Sequence, residues 1–172
     1  MKKILEKREK DIEYQSIIKD VINNEEVKKM KIYNQHCNTS CYEHCYNASY
    51  YCYLISKKLH WDYKSSARGA MLHDLFLYDW RLPNGSAGLH AFKHGRIAYE
   101  NASKIFNLNN IEEDIIKRHM FPITITPPKT KEGFLITLVD KYCAINEIWQ
   151  SIYEYCSRKM IFRFTVSFSN FF

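Results

Sequence analysis

Apolar residues recur at intervals of three and four along most of the chain, which is the spacing of helices with one buried face. Gly and Pro are scarce, at 5 and 4 residues, so a β-rich fold with many tight turns is not expected. The pattern therefore predicts an all-α protein. The predicted helices cover residues 11–23, 25–32, 41–59, 63–78, 94–106, 111–120 and 131–155.

Polar residues at the ends of these segments indicate where the helices begin. Ser40 and Glu43 have the spacing of a capping box, and Asp62 is a good cap for the following helix. Asn109 or Asn110 is expected to cap a later one. The segment 33–39 is polar and predicts a loop, Pro83-Asn84-Gly85 predicts a turn, and Pro127-Pro128 makes residues 122–128 an extended connector.

The last residues follow a different pattern. Phe162, Phe164, Val166 and Phe168 alternate with polar residues, and this period of two predicts a strand-like tail. We therefore expect one compact bundle of about six to seven helices. Its parts are an N-terminal helical segment packed on the core (1–32), the main helical domain (33–156) and a tail of uncertain structure (157–172).

Composition and charge narrow the function classes. Hydrophobic residues make up 46% of the 172 residues and charged residues 26%, as in ordinary globular proteins. The net charge is +6, but the densest basic segment, 2–10, is interleaved with glutamates, which indicates a solvated helix face. We expect no stable nucleic-acid complex, and a modest positive field that could help to recruit a phosphorylated substrate.

Two further features concern the cellular compartment. No apolar run approaches the roughly 18 residues of a membrane span, and the first residues lack the apolar core of a signal peptide. We expect a cytoplasmic protein with reduced thiols. Cys37, Cys41 and Cys45 lie four apart, which could bind zinc, but without a second pair of matching spacing they are better explained as small buried residues.

The pair His73-Asp74 is the most informative element of the sequence. It closes the apolar stretch 67–72 at the inner end of a predicted helix, and buried charges are normally paired or bound to metal. Other predicted helices supply further ligand types. Side chains from several helices of a bundle can converge on one interior point. The candidate metal ligands are His44, His73, Asp74, His94, His119 and Asp140.

Some alternatives remain open for these residues. His90 lies four before His94 and could replace it as a ligand, whereas His36 and His60 are expected to be ordinary core or surface residues. Asp74 could instead cap a helix or pair with Arg68.

With its local context, the pattern His44, His73-Asp74 and Asp140 resembles the HD-domain superfamily of metal-dependent phosphohydrolases. The phrases that carry the resemblance are Tyr42-Glu43-His44-Cys45, the stretch 67–74 ending in His73-Asp74, and Leu138-Val139-Asp140-Lys141-Tyr142. It spans roughly residues 35–150. His94 and His119 are similar to the added ligands of binuclear subfamilies, although the Gly-Tyr-Pro segment of the HD-GYP phosphodiesterases is absent.

The resemblance implies a helical bundle of the HD type that holds one or two divalent ions (Mn, Fe, Mg, Co, Ni or Zn). His44, His73, Asp74 and Asp140 would hold the first ion, and His94 and His119 would complete a second site bridged by Asp74. A metal-activated water would then hydrolyse a phosphate monoester or phosphodiester, with nucleotides among the candidate substrates. A cation would neutralise the developing charge. The candidates are Lys141, Arg68, Lys93, Arg96 and Arg118, of which Lys141 and Arg68 join Asp74 as the predicted catalytic residues.

Two other functions are compatible with the same residues. Some HD-fold proteins use a di-iron centre to activate dioxygen, and six nitrogen and oxygen ligands would suit iron. A non-catalytic nucleotide-binding signalling module is the third hypothesis. The expected partner is a phosphorylated small molecule or nucleotide, without a membrane, and a homodimer is left open.

Overall fold

A computed structural model describes the backbone of residues 2–81 and 90–169, and the side chains of residues 4–81 and 90–157. The described chain is almost entirely helical, which confirms the all-α prediction. The elements in chain order are helices α1 (Lys2–Arg8), α2 (Ile12–Asn23) and α3 (Glu25–Lys29), a 3-10 turn (Met30–Ile32), strands β1 (Asn34–His36) and β2 (Thr39–Ser40), and helices α4 (Cys41–Lys58), α5 (Tyr63–Leu72), α6 (His90–Ser103), α7 (Asn110–Arg118) and α8 (Lys131–Ser169).

The predicted helix caps are confirmed. The Ser40 hydroxyl accepts a hydrogen bond from the Glu43 amide at 3.2 Å, and Asp62 accepts one from the Ser65 amide at 2.9 Å. Asn109, rather than Asn110, caps α7 in a full capping box with Glu112. Because each cap satisfies amide groups that the helix itself leaves unpaired, these short polar residues fix where the helices start.

Helix α4 lies at the centre of the bundle and is buried on nearly all sides. Helix α5 packs along it, and α2 covers another side with Tyr14, which is fully buried. The Tyr14 ring packs edge-on against Tyr50 with centroids 4.9 Å apart, and its hydroxyl donates to Ser49 at 2.9 Å. This tyrosine-rich packing holds α4, which carries His44, in place.

Three predictions about local structure are wrong. Helix α5 ends at Leu72, not near Tyr78, because Leu75 and Phe76 are buried in an irregular turn that a helical pattern cannot distinguish from a helix. Residues 33–39 are not a simple loop but form the antiparallel β1–β2 hairpin, with Asn34 opposite Ser40. Helix α6 begins at His90, four residues before the predicted start.

The C-terminal segment also differs from its prediction. The backbone is helical through Ser169, so the alternating residues 162–168 do not form a strand. A period of two favours a strand only where another strand pairs with it, and the sheet of the described chain is confined to β1 and β2. Continuing an existing helix adds one hydrogen bond for each residue fixed. The predicted turn at Pro83-Asn84-Gly85 lies outside the described residues.

The prediction that segment 2–10 is only a solvated helix face is wrong for Arg8. Arg8 is 7% exposed, donates to Asn47 at 2.6 Å and to Glu43 at 3.0 Å, and its guanidinium lies over the Tyr46 ring. The N-terminal helix is thereby attached to α4. None of the described helices combines the length and apolar character that a membrane span requires.

Candidate metal centre

The six predicted ligands lie together in the interior of the bundle. They come from α4 (His44), the turn after α5 (His73 and Asp74), α6 (His94), the end of α7 (His119) and α8 (Asp140). All six are less than 9% exposed, and His44 and His73 are fully buried.

Each of the four imidazoles is held through its Nδ1 atom. His73 Nδ1 lies 2.7 Å from the Ala70 carbonyl oxygen, and His94 and His119 Nδ1 lie 2.9 Å from the carbonyl oxygens of His90 and Ile116. A carbonyl oxygen can only accept, so Nδ1 of these three rings carries the proton. In a neutral ring the Nε2 lone pair is then free, and a metal-ligating histidine is commonly oriented in this way.

His44 is held by a carboxylate instead of a carbonyl. Its Nδ1 atom lies 2.9 Å from Glu147 Oε2, and its Nε2 atom lies 3.0 Å from Asp140 Oδ1. Glu147 is 4% exposed and also accepts a bond from the Asn47 amide at 3.3 Å. Glu147 therefore orients the ring from behind while Asp140 meets its inner edge.

Asp74 connects two groups of ligand atoms. Its Oδ1 atom lies 3.2 Å from His94 Nε2 and 3.3 Å from His119 Nε2. Its Oδ2 atom lies 3.5 Å from His73 Nε2, which in turn is 3.7 Å from Asp140 Oδ1. One group thus contains His44, His73, Asp74 and Asp140, and the other contains Asp74, His94 and His119.

These distances suit a metal ion. Ligand atoms bound at about 2.0–2.2 Å are roughly 3.0–3.5 Å apart in octahedral or tetrahedral geometry, close to the observed separations. His73 Nε2 and Asp74 Oδ1 are buried and have no hydrogen-bond partner among the described residues. A buried polar atom without a partner is costly, and coordination of a cation would satisfy both. These buried groups could therefore hold a metal ion.

Mutual pairing sets the charge of the cluster. Burial lowers the pKa of His44, but its hydrogen bonds with Asp140 and Glu147 outweigh burial and hold the pKa well above 6.5. Burial raises the pKa of Asp74, yet the nearby charges of His73 and His94 hold it well below its ordinary value. The pKa of Asp140 is likewise lowered, against burial, by His44 and His73. At neutral pH the two aspartates are therefore ionised inside the protein, and they need positive charge beside them.

A cavity of about 300 Å³ opens beside the ligands. Asp74, His94 and Asp140 form part of its wall, together with Lys141, the only lysine or arginine among the described residues that line it. The Lys141 ammonium donates to the carbonyl oxygens of Thr137 at 3.0 Å and His119 at 3.4 Å, which holds it at the edge of the cavity. The other lining residues are Gln35, His36, Trp80, His90, Ala91, Met120, Ile123 and Ala144.

Arg68 is not part of this site. Its guanidinium pairs with Glu112 at 2.8 Å and Asp20 at 2.5 Å on the α2–α5–α7 side of the bundle. Arg68 therefore neither pairs with Asp74 nor lines the cavity, contrary to the predictions that it is a partner of Asp74 or a catalytic cation.

The other predicted cations are also engaged elsewhere or exposed. Arg118 pairs with Asp114 at 2.8 Å, and Arg96 is an exposed partner of Glu100. Lys93 is exposed on α6 and does not line the cavity.

The structure distinguishes His90 from His94. His94 Nε2 points at Asp74 and His119, whereas His90 Nδ1 bonds the Tyr78 hydroxyl at 2.9 Å. The His90 ring stacks on His94 at 4.6 Å and on Trp80 at 5.3 Å. His90 therefore supports the ring of the candidate ligand His94 from the cavity side. His60 is exposed, in the left-handed region with φ 55°.

Sequence reasoning missed three residues around the cluster. Glu147 could have been found, because it lies seven residues after Asp140 and so on the same face of one helix. Gln35, whose amide donates to Asp74 Oδ2 at 2.5 Å, gave no signal, because it lies in a segment that looks like a polar loop. His36 is a histidine, but its sequence context predicts only an ordinary core or surface residue.

The cysteines fit the simpler of their two interpretations. Cys41 and Cys45 are fully buried near Asp74, and Cys41 donates through sulfur to the Asp74 carbonyl oxygen at 3.1 Å. Burial raises the pKa of both thiols, which keeps them protonated in the metal-free protein, although Cys41, Cys45 and Asp74 lie close enough together that they could hold an ion. Cys37 is exposed on the hairpin, so the three do not share a helical face.

Comparison of the chain with protein-family models, with curated proteins and with solved structures found no match.

Proposed function

We propose that this protein is a metal-dependent phosphohydrolase that cleaves a phosphate monoester or phosphodiester of a small molecule. The observation that carries the proposal is the common orientation of four imidazoles. In each ring, Nδ1 is hydrogen-bonded to a fixed acceptor oxygen and Nε2 faces Asp74 or Asp140. The order of these residues along the chain also resembles the HD-domain superfamily.

The two ligand groups suit two ions that share Asp74. Four imidazoles and two carboxylates favour Mn, Fe, Co, Ni or Zn over Mg, because imidazole is a ligand that transition metals prefer. Ions bound there would supply Lewis acidity toward a phosphoryl oxygen and make a water nucleophilic near neutral pH. The protein supplies the orientation of the rings and a buried setting in which charges act strongly.

The cavity supports a small anionic substrate. Its volume, about 300 Å³, is at the lower end for small-molecule pockets, so one nucleotide or a smaller phosphate ester fits better than a polymer. Lys141 places a cation beside the ligand groups, where it would attract a phosphate. Trp80 and Ile123 add apolar surface for the remainder of the molecule.

The test is metal quantification on freshly purified protein combined with a substrate panel. Protein stripped with a chelator would be reloaded with each candidate metal and assayed on phosphate monoesters, phosphodiesters and nucleotides. We expect close to two ions per chain and metal-dependent phosphate release. Asp74→Asn should remove both, whereas His60→Asn, at an exposed position whose backbone suits asparagine, should keep both.

Three other outcomes would contradict the proposal in different ways. Oxygen consumption by the iron-loaded protein, without phosphate release, would favour the di-iron oxygenase. Tight nucleotide binding without turnover by any metal form would favour a signalling module. Unaltered metal content in a folded Asp74→Asn variant would remove Asp74 as the bridging ligand.

A further inference from the structure

Helix α8 carries a regular apolar stripe on its outer side. Leu138, Tyr142, Ile145, Trp149 and Ile152 follow one another at alternating spacings of four and three residues. They are 69%, 48%, 68%, 71% and 50% exposed. Cys156, also exposed, continues the spacing. This seven-residue repeat is the pattern of a helix that packs along a second helix in a coiled coil. We call these six positions the α8 seam.

The seam faces away from the domain that α8 belongs to. Asp140, Cys143 and Glu147 are buried on the opposite side of the helix, toward the metal centre. The side of α8 that packs on the bundle is thus already used, and the seam is a second apolar face. Tyr142 contacts Tyr51 of α4, with ring centroids 5.6 Å apart, but Leu138, Ile145 and Trp149 stay mostly exposed, so ordinary folding of this domain does not account for the seam as a whole.

The area of this face is that of an interface. Five seam residues and the adjacent Ile148 and Tyr153 are between 40% and 71% exposed. With about 150–250 Å² for each large apolar side chain, these seven present on the order of 800 Å² of accessible surface. That area equals one partner's share of a standard interface, about 800 Å², and exceeds the patch of about 300–600 Å² found on a typical monomer.

We propose that the α8 seam packs against the α8 seam of a second copy of this chain, with the two helices antiparallel. A heptad seam fits a helix of the same repeat, and a two-fold axis lets one patch complement itself. The positions beside the seam that usually carry partner-selecting charges are here Val139, Asn146 and Tyr153 on one side, and Lys141, Ile148 and Tyr155 on the other. Lys141 is turned to the cavity, so no charge pattern selects a different partner.

The sizes of the seam residues favour the antiparallel arrangement. Pairing about the middle of the seam places Ile145 opposite Trp149, Tyr142 opposite Ile152 and Leu138 opposite Cys156. Each large side chain then meets a smaller one, which is how facing layers fill space without voids. A parallel pair would instead stack Trp149 on Trp149 and Tyr142 on Tyr142.

The oligomeric state tests the proposal. Light scattering or sedimentation equilibrium of the wild-type chain at micromolar concentration should give twice the chain mass of 20.6 kDa. Ile145→Glu and Trp149→Glu should each give a monomer with unchanged helical circular dichroism and unchanged metal content. Ile12→Glu, at an apolar position that is 85% exposed outside the seam, should remain a dimer.

Cross-linking tests the direction of the pair. In Leu138→Cys, mild oxidation should join residue 138 of one copy to Cys156 of the other, mapped by peptide mass spectrometry, and adding Cys156→Ser should abolish the link. A wild-type link between the two Cys156 residues would overturn the antiparallel arrangement. A wild-type monomer at about 100 µM, above the micromolar limit for interfaces of this size, would overturn the dimer itself. Neither result depends on the proposed hydrolase activity.

Discussion

The Nε2 atoms of His94 and His119 lie 2.8 Å apart, while the Nδ1 atom of each ring is committed to a backbone carbonyl. With both rings neutral, two lone pairs would face each other across this gap, beside the ionised Asp74. Either a proton on one ring or a cation must lie between them. Asp74 raises the pKa of His94 against burial, whereas burial and basic neighbours lower that of His119. Without metal the shared proton therefore resides on His94 Nε2, and a bound cation would replace it.

The first prediction concerns this second group of ligands. His119→Ala should lower the metal content from about two ions to about one per chain and leave the helical circular dichroism intact, because His44, His73, Asp74 and Asp140 remain. Elemental analysis after extensive dialysis measures the change. His90→Ala, which removes a ring stacked on His94 but no ligand, should retain both ions. Two ions in the His119 variant would place the second site elsewhere.

The second prediction concerns Glu147, which orients the His44 ring from the side opposite Asp140. Glu147→Gln should weaken metal binding by about 10–100-fold, the usual effect of removing a partner that orients a ligating histidine. The charge that strengthens the His44 Nδ1–H bond would be gone, although an acceptor atom would remain. Competition with a chelator of known affinity gives the constant. Glu154→Gln, seven residues further along the same helix and exposed, is the matched control. Equal affinities in both variants would contradict the role of Glu147.

Arg68 should affect stability and not activity. Arg68→Ala would leave the buried Glu112 carboxylate without its ion pair and should lower the free energy of unfolding by about 1–3 kcal/mol, with metal content and turnover unchanged. Arg96→Ala removes an arginine from an exposed pair and should change stability by less than about 1 kcal/mol. Urea unfolding of both proteins measures the difference. Loss of turnover in a folded Arg68→Ala protein would show that Arg68 does contribute to activity.

Gly133 should resist replacement even though it lies in a helix. Asp114 accepts bonds from the amides of Lys129 and Thr130, which fixes the start of α8 against α7. A Cβ atom at residue 133 would lie 2.5 Å from Asp114 Oδ2 and 2.9 Å from Pro128 Cβ. Gly133→Ala should therefore destabilise by about 1–3 kcal/mol, although alanine in an unhindered helix position gains about 1 kcal/mol. A stabilised variant in thermal unfolding would show that this turn relaxes freely.

The pH dependence of stability should differ between metal-free and metal-loaded protein. The pKa values of His44, His73 and His94 are raised above 6.5 on folding. Below pH 6.5 their stabilising effect is complete, and it is lost as the pH rises through the folded-state values, since the folded form then binds more protons than the unfolded one. Metal-free protein should therefore lose stability on the alkaline side.

Histidines whose pKa is lowered on folding have the opposite effect on stability, below pH 6.5. Burial and nearby positive charge lower the pKa of His36 and His119, and lower that of His90 to about 4. As the pH falls below 6.5 the unfolded chain gains these protons first, which destabilises the fold. Metal-free protein should thus be most stable near pH 6.5, and bound metal should remove the alkaline fall, because ligation needs deprotonated Nε2 atoms. Urea midpoints that keep rising above pH 6.5 without metal would contradict this.

The sequence predicted most of the helices from local signals, and it predicted the convergence of the six candidate ligands from the resemblance of their local phrases to the HD-domain superfamily. Helix periodicity and the caps Ser40, Asp62 and Asn109 are properties of short segments. The end of α5 depends instead on tertiary packing. Leu75 and Phe76 are buried whether the chain is helical or not, so periodicity alone predicted a longer helix.

The predictions that failed near the site have a similar cause. Arg68 looked like a partner for Asp74 because the two are close in sequence, but α5 turns Arg68 to the opposite side, toward Glu112. Gln35 reaches Asp74 only because the β1–β2 hairpin folds back over the cavity. A sequence shows which residues are available, whereas the direction of each side chain follows from the packing of its helix or hairpin.

Key residues on both faces of α8 are spaced seven apart, so the number of residues in this helix is itself constrained. Inserting or deleting one residue between 140 and 147 would rotate everything beyond by about 100°. Glu147 would leave His44, and Trp149 and Ile152 would fall out of line with Leu138 and Tyr142. Conservative substitutions on either face could be absorbed one at a time, but a change in the number of residues would damage the side that carries the candidate ligand Asp140 and the outer side together.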